Sequence, residues 1–172
     1  MSNDILNFYS KSKDVYPGDG KHEYVENKLD YEELSKIKNW RKYLSNFHQE
    51  VFKYDNYNWN TIEHCFQAQK FKNIDDDVYY KFTINSGSEL GLGNGEMARK
   101  NRKLLILNEE QLTLWDQQKW KIMRKISKKK YKNSIICKQI LMLTNDAKLM
   151  HIMPRAKAMH FKHLEKIRNK LI

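Results

Sequence analysis

The eleven residues at 61–71, TIEHCFQAQKF, decide how this chain of 172 residues is read. They predict a helix, with Thr61 or Asn60 as its N-cap, because a short side-chain oxygen there accepts from an otherwise unpaired backbone N–H. At about 100° per residue, Glu63, Gln67 and Lys70 lie within about 60° of one another, so three polar, reactive side chains share one stripe. Ile62, Cys65 and Phe66 occupy another sector, which belongs to the core. Spacing alone leaves two readings of the polar stripe, a solvated helix face or the wall of a pocket. Trp59 and Phe66 flank it, and aromatic rings beside polar groups suit a flat heterocycle or a sugar. Glu63 falls in the first turn, where the helix N-terminus favours a carboxylate. Such a carboxylate stabilises the oxocarbenium-like transition state of a breaking glycosidic bond. A desolvated Lys70 offers another chemistry, a Schiff base with an opened sugar aldehyde.

Working outward, VFKYDNYNW predicts a hairpin that turns at Asp55-Asn56. The opening FYSKSKDVYPGDGKHE, with Pro17, Gly18 and Gly20, reads as loop. LDYEELSKI has Leu29, Leu34 and Ile37 near helical spacing, with Asp30 as its cap. DDDVYYKFTI predicts a helix whose leading acids favour the positive end of its dipole. The glycines of SGSELGLGNGEMARKNRKL fit neither a dinucleotide fingerprint nor a Walker A loop. A long helix follows from about Glu109, capped by Asn108, with Leu112, Trp115, Ile122, Met123 and Ile126 along a stripe, then a very apolar one in SIICKQILMLT. NDAKLMHIMPRAKAMH reads as a connector and FKHLEKIRNKL as a short helix. Helices dominate and no βαβ rhythm appears, which predicts an α+β, mainly α-helical single domain with a small sheet or hairpin. That domain spans 1–172, with a loop-rich N-terminal extension at 1–28 and a core at 29–172.

No apolar run approaches the roughly 20 residues of a membrane span, and the N-terminus has no apolar core of a signal peptide. Cys65 and Cys137 are isolated, without the spacing of a disulfide framework or a zinc site. These features predict a cytoplasmic protein, intracellular and reducing, with the nucleus also open to it. The six histidines form no metal-ligand pattern, so no metal is expected. The net charge of +11 is unevenly spread: residues 1–95 carry 12 Lys+Arg against 15 Asp+Glu, and residues 96–172 carry 20 against 6. A basic C-terminal half of this kind suits polyanions such as nucleic acid. Yet 26 of the 32 basic residues are Lys, the usage an A/T-rich coding sequence favours whatever the function. Both accounts of the charge stand. The Lys-rich stretch at 119–132, with Trp120 and Tyr131 interleaved, is the candidate nucleic-acid surface.

Five segments in one order carry a resemblance: YLSNF at 43–47, WNTIEHCFQAQKF at 59–71, WKIM at 120–123, KYKN at 130–133 and LMLTNDAKL at 141–149. Together they resemble the NADAR (YbiA-like) superfamily, whose pattern runs L/F-S-N-F, then W/Y-x-[ST]-[VA]-E-H-x-[YF]-Q-x-x-K. A W-x-x-x-K-x-x-V/I-M helix, K-F/Y-x-x-N and L-L-x-T-G-D-A-x-L complete it. The match covers about residues 40–150.

The resemblance implies N-glycosidase chemistry without metal or redox cofactor. It makes Glu63 the catalytic carboxylate, with Lys70 and Asp146 beside it in the catalytic set. Gln67, Asn46 and Phe47 would shape the pocket, with Trp59 and Trp120 as stacking walls. The implied substrate is ADP-ribosylated guanine in nucleic acid or a nucleotide, with phosphates met by Lys11, Lys13 or Arg155. The alternatives are a riboflavin-pathway ribosylamine phosphate, or a non-catalytic module that binds ADP-ribose or nucleic acid. The chain lacks the D-x-x-W-G-x-G segment that many members place next. Arg155, His151 and Lys157 would take over ligand contacts there. An S-K-S-x-D-x-x-P-G-x-G-x-x-E pattern in the extension offers Lys11, Asp14 or Glu23 for the missing acid–base function.

Overall fold

The computed structural model describes residues 2–171. In chain order its elements are β1 (Ile5–Phe8), a 3-10 turn (Lys28–Tyr31), α1 (Glu32–Ser35), α2 (Trp40–Tyr43), β2 (Phe52–Tyr54), β3 (Tyr57–Trp59), α3 (Ile62–Gln69) and α4 (Asp76–Lys81). A second 3-10 turn (Ile84–Ser86), α5 (Glu89–Leu92), α6 (Gly95–Lys100), α7 (Glu109–Asn133), α8 (Ile135–Leu143), β4 (Lys148–His151), β5 (Met159–His160) and α9 (Lys162–Arg168) follow. The fold is α+β and mainly helical, as the sequence predicts. Two compact units are present, one continuous over Gln49–Asn133, the other built from the residues up to 48 and those from 134 onward. Among the described residues, no helix is long and apolar enough to cross a membrane.

The continuous unit starts with the predicted hairpin. Asp55 and Asn56 take φ of 50° and 65°, the left-handed pair of a tight hairpin turn, and Phe52 pairs with Trp59 across it. Thr61 then caps α3, its Oγ1 accepting from the His64 N–H at 3.1 Å. Asp75, Ser88 and Asn94 cap α4, α5 and α6 in the same way. At Gly91 a Cβ would meet the Thr83 carbonyl oxygen at 2.0 Å, so only glycine lets α5 sit against that backbone. Asn108 opens α7 through a reciprocal pair: the Gln111 N–H donates to its Oδ1, and its own N–H donates to Gln111 Oε1, each at 2.9 Å.

The buried stripe of α7 differs from the predicted one. Trp115, Met123, Ile126, Ser127, Lys130 and Tyr131 are buried, whereas Leu112 is exposed and Trp120 is 48% exposed. Lys130 is 0% exposed, so the last residue of the KKK run faces inward, not to solvent.

The discontinuous unit holds a three-stranded sheet of order β1-β4-β5. β1 runs parallel to β4, Ile5 opposite Lys148 and Phe8 opposite His151, and β5 returns antiparallel along β4. Leu6, Phe8 and Leu149 of the sheet are fully buried, as are Leu34, Leu44, Ile140 and Leu141 of its helices. Two predictions are corrected here. The connector at 145–160 contains two strands, and the helix start at 28 is capped by Asn27, whose Oδ1 accepts from the Leu29 N–H at 3.2 Å, not by Asp30.

Candidate functional site

α3 packs against α6 and α7 within the continuous unit. Glu63, in the first turn after the Thr61 cap, is only 7% exposed. Its single side-chain partner among the described residues is Gln67, one turn on, whose Nε2 donates to Oε1 at 2.7 Å. Burial pushes the Glu63 carboxyl above its usual range. The Gln67 hydrogen bond and the positive charges of Arg99, Lys70 and Arg102 pull the other way without cancelling it. Lys70, the C-cap of α3, donates from Nζ to the Arg102 carbonyl at 2.5 Å. Burial lowers its ammonium to about 8; Glu63 opposes that shift, and Arg102 and Lys103 add to it. The stripe read from the sequence is therefore not a solvated face. A carboxyl raised and an amine lowered, on one helix and electrostatically coupled, are suited to exchanging protons.

The neighbours of that pair are structural. His64 Nε2 donates to the Leu90 carbonyl at 2.9 Å, and its Nδ1 accepts from the Thr61 hydroxyl at 2.8 Å. Burial holds its imidazole below the ordinary histidine range. Cys65 is fully buried and its thiol is pushed up by burial, so it packs and does not react.

Trp59 corrects the sequence reading. It is 0% exposed, its indole N–H donating to the Tyr54 carbonyl at 2.8 Å, and it packs edge-on to Tyr57 and Tyr79. It is a core residue, not a stacking wall. The aromatic flank of the stripe is Phe66, half-buried against Trp115 at 5.0 Å between ring centroids. Arg99 and Arg102 escaped the sequence reading. The basic run at 99–103 was visible, but nothing in its spacing ties it to a glutamate 36 residues earlier. Trp120 stands on the exposed part of α7, beside a ridge of Lys121, Arg124, Lys125, Lys128, Lys129 and Lys132, all exposed.

The other predicted residues belong to the discontinuous unit. Asn46 is buried and Phe47 half-buried in the turn after α2, the Phe47 N–H donating to Ser45 Oγ at 3.2 Å. Asp146 is exposed just before β4, lining a cleft of about 370 Å³ with Asp4, Asp30 and Tyr31. His151 stacks on Phe161 at 4.9 Å and leans on Phe8. Arg155 is exposed in a turn with φ of 62°. Lys11 is exposed, and Asp14 accepts from the Asn39 N–H at 2.8 Å. Lys13 lines a cavity of about 760 Å³ between the extension and the segment at 152–158.

Glu23 is also corrected. Its Oε1 accepts from the Asn7 N–H and Arg41 Nε, both at 2.9 Å. Its Oε2 accepts from the Gly18 and Gly20 N–H groups at 3.0 Å and from Arg41 Nη2 at 2.7 Å. The same guanidinium donates to the Val15 and Tyr16 carbonyls. Every lone pair of Glu23 is taken, so it fastens the extension and offers no acid–base function.

Neither a family model nor a curated protein matches the sequence. The solved structures do give a match: the solution structure of the E. coli protein YbiA superposes with a TM-score of 0.60 at 20% identity, over 99% of this chain and 86% of that one. The chain has the YbiA-like fold.

Proposed function

We propose that this chain is an N-glycosidase of the NADAR type, hydrolysing the bond between a ribose and a base or base-like amine. The observation that carries the reading is the buried Glu63, held by one side-chain donor and coupled to a lysine whose ammonium titrates at about 8. The fold shared with YbiA and the order of the sequence segments support it. In the proposed reaction, the Glu63 carboxylate takes a proton from the attacking water as its oxygen bonds to the anomeric carbon. The C–N bond breaks, and the Lys70 ammonium gives its proton to the departing nitrogen. Negative charge on Glu63 also stabilises the oxocarbenium-like transition state. Gln67 holds the carboxylate in register, and the half-buried Phe66, backed by Trp115, offers the flat wall that a base requires.

For the substrate we favour ADP-ribosylated guanine, in nucleic acid or nucleotide. The exposed ridge of α7 supports the polymer: none of its six cations is ion-paired among the described residues, and phosphates are the natural complement of such a row. The test is ADP-ribose release from an oligonucleotide ADP-ribosylated on guanine, with wild type, Glu63→Gln and Lys70→Ala compared. Release by wild type that Glu63→Gln abolishes, with the fold intact, is the expected result. Equal release by Glu63→Gln sinks the assignment. A ribosylamine phosphate of the riboflavin pathway, assayed in parallel, distinguishes the second substrate class.

A further inference from the structure

We propose that residues 102–110, RKLLILNEE, form a self-complementary surface through which two copies of this chain associate about a two-fold axis at Ile106. The segment links α6 to the first turn of α7, within the continuous unit. The inference does not rest on the glycosidase reading, because self-association is measured without substrate.

The centre of the segment alternates in exposure as a strand does. Leu105 and Leu107 are half-buried, whereas Leu104 is 44% and Ile106 91% exposed. Among the described residues, the N–H groups of Leu105, Ile106 and Leu107 donate no hydrogen bond. An exposed apolar stretch of unpaired backbone is a template for pairing with another strand. Its two ends are already held. The Arg102 carbonyl accepts from Lys70 Nζ at 2.5 Å, and Asn108 is locked to Gln111 by two hydrogen bonds of 2.9 Å. A segment fixed in this way loses little further freedom on association.

The charges decide what the other strand is. Arg102 and Lys103 at one end and Glu109 and Glu110 at the other are exposed, and none is ion-paired among the described residues. The charges just outside them are matched within the chain, Lys100 with Glu96 at 3.6 Å and Lys119 with Asp116 at 2.6 Å. A polyanion laid along the segment would meet the two glutamates, and a cationic peptide would meet Arg102 and Lys103. The segment's own sequence, run antiparallel, satisfies both ends. With Ile106 opposite Ile106, Leu105 faces Leu107, Lys103 faces Glu109 and Arg102 faces Glu110. A two-fold axis makes each of these pairings twice, so cations meet acids on both sides of an apolar centre. Standard interfaces bury about 800 Å² per partner. A single segment supplies less, which places the association in the micromolar range.

The test is sedimentation equilibrium of the full chain over roughly 1–500 μM, with circular dichroism to check the fold of each variant. Wild type should pass from monomer to dimer across that range. Ile106→Lys, which sets like charges on the axis, should weaken the dimer about tenfold or more. Arg102→Glu with Lys103→Glu makes both ends acidic, and Glu109→Lys with Glu110→Lys makes both ends basic. Each double variant should stay monomeric by itself, and an equimolar mixture of the two should form a heterodimer at least as tight as the wild-type dimer. A wild type that is monomeric at the highest concentration overturns the proposal. So does a dimer indifferent to Ile106→Lys, or a mixture of the double variants that fails to associate.

Discussion

Two glutamates with buried side chains, one in each unit, are treated in opposite ways. Glu23 has all its acceptor capacity filled, by three backbone N–H groups and a bidentate arginine. Glu63 has a single amide donor, with its cations close enough to be felt but not in hydrogen-bond contact. A carboxylate whose desolvation is fully compensated becomes a fastening, fixed in charge and place. One whose desolvation is compensated in part is left with a raised affinity for a proton, and that is the property catalysis uses.

The largest expected effect tests the reactive member. Glu63→Gln keeps the shape and can still pair with Gln67, so the fold should persist while glycosidase turnover falls by about 10²–10⁴. If turnover survives, the difference between the two glutamates is one of stability alone. On the same site, the pH profile should rise above the usual carboxylate range as Glu63 ionises and fall as Lys70 loses its proton at about 8. Lys70→Arg keeps its charge far beyond that pH but cannot give up its proton, so turnover should fall and the residual profile should lack the descending limb.

The fastening is tested by stability. Arg41→Ala leaves Glu23 buried and charged without its ion-pair partner, and should cost about 3–5 kcal/mol in denaturant unfolding. The comparison sharpens if Glu63→Gln, measured alongside, is neutral or stabilising, because it relieves a partly compensated carboxylate.

A buried imidazole extends the contrast to a base. His163 is depressed to about 4 by burial, with the nearby His151 adding to it. Between about 6.5 and 4 the unfolded chain binds a proton that the folded one refuses, so stability is full above pH 6.5 and falls with acidification. The loss should approach about 3 kcal/mol at pH 4. His163→Phe should flatten that slope in unfolding measured at several pH values. The smallest effect belongs to the cap that aims α3: Thr61→Val removes the acceptor for the His64 N–H and the hydroxyl partner of its ring, costing about 1–2 kcal/mol.

What the sequence revealed depended on how local the determinants are. The hairpin and α3 were legible because Asp55-Asn56 and Thr61 act on backbone within three residues of themselves. The strands β1, β4 and β5 were not. β1 is four residues long and its partner lies more than 140 positions away, so no local pattern marks it. Glu63, Gln67 and Lys70 were found by helical spacing and by the surrounding segments, whereas Arg99 and Arg102 approach through tertiary packing. Trp59 and Lys130 failed in the same sense, an aromatic expected at a surface and a lysine expected in solvent, both fully buried. Burial is a property of the assembled chain, and residue type predicts it only on average. Glu23 was singled out by its motif, but the hydrogen bonds that define its role come from residues 7, 18, 20 and 41.

The parallel pairing of β1 with β4 also imposes an order on the chain's birth. As the polypeptide leaves the ribosome, Ile5–Phe8 emerges more than 140 residues ahead of its partner Lys148–His151 and must wait for it. Throughout that wait it is an unsatisfied, apolar strand edge, the kind of surface that chaperones hold and that misassembles when left uncovered. Gln49–Asn133, by contrast, is a single stretch whose internal partners are all made before the strand is claimed. A nascent chain arrested before residue 148 would therefore carry its candidate catalytic helix α3 complete and its first strand still unclaimed.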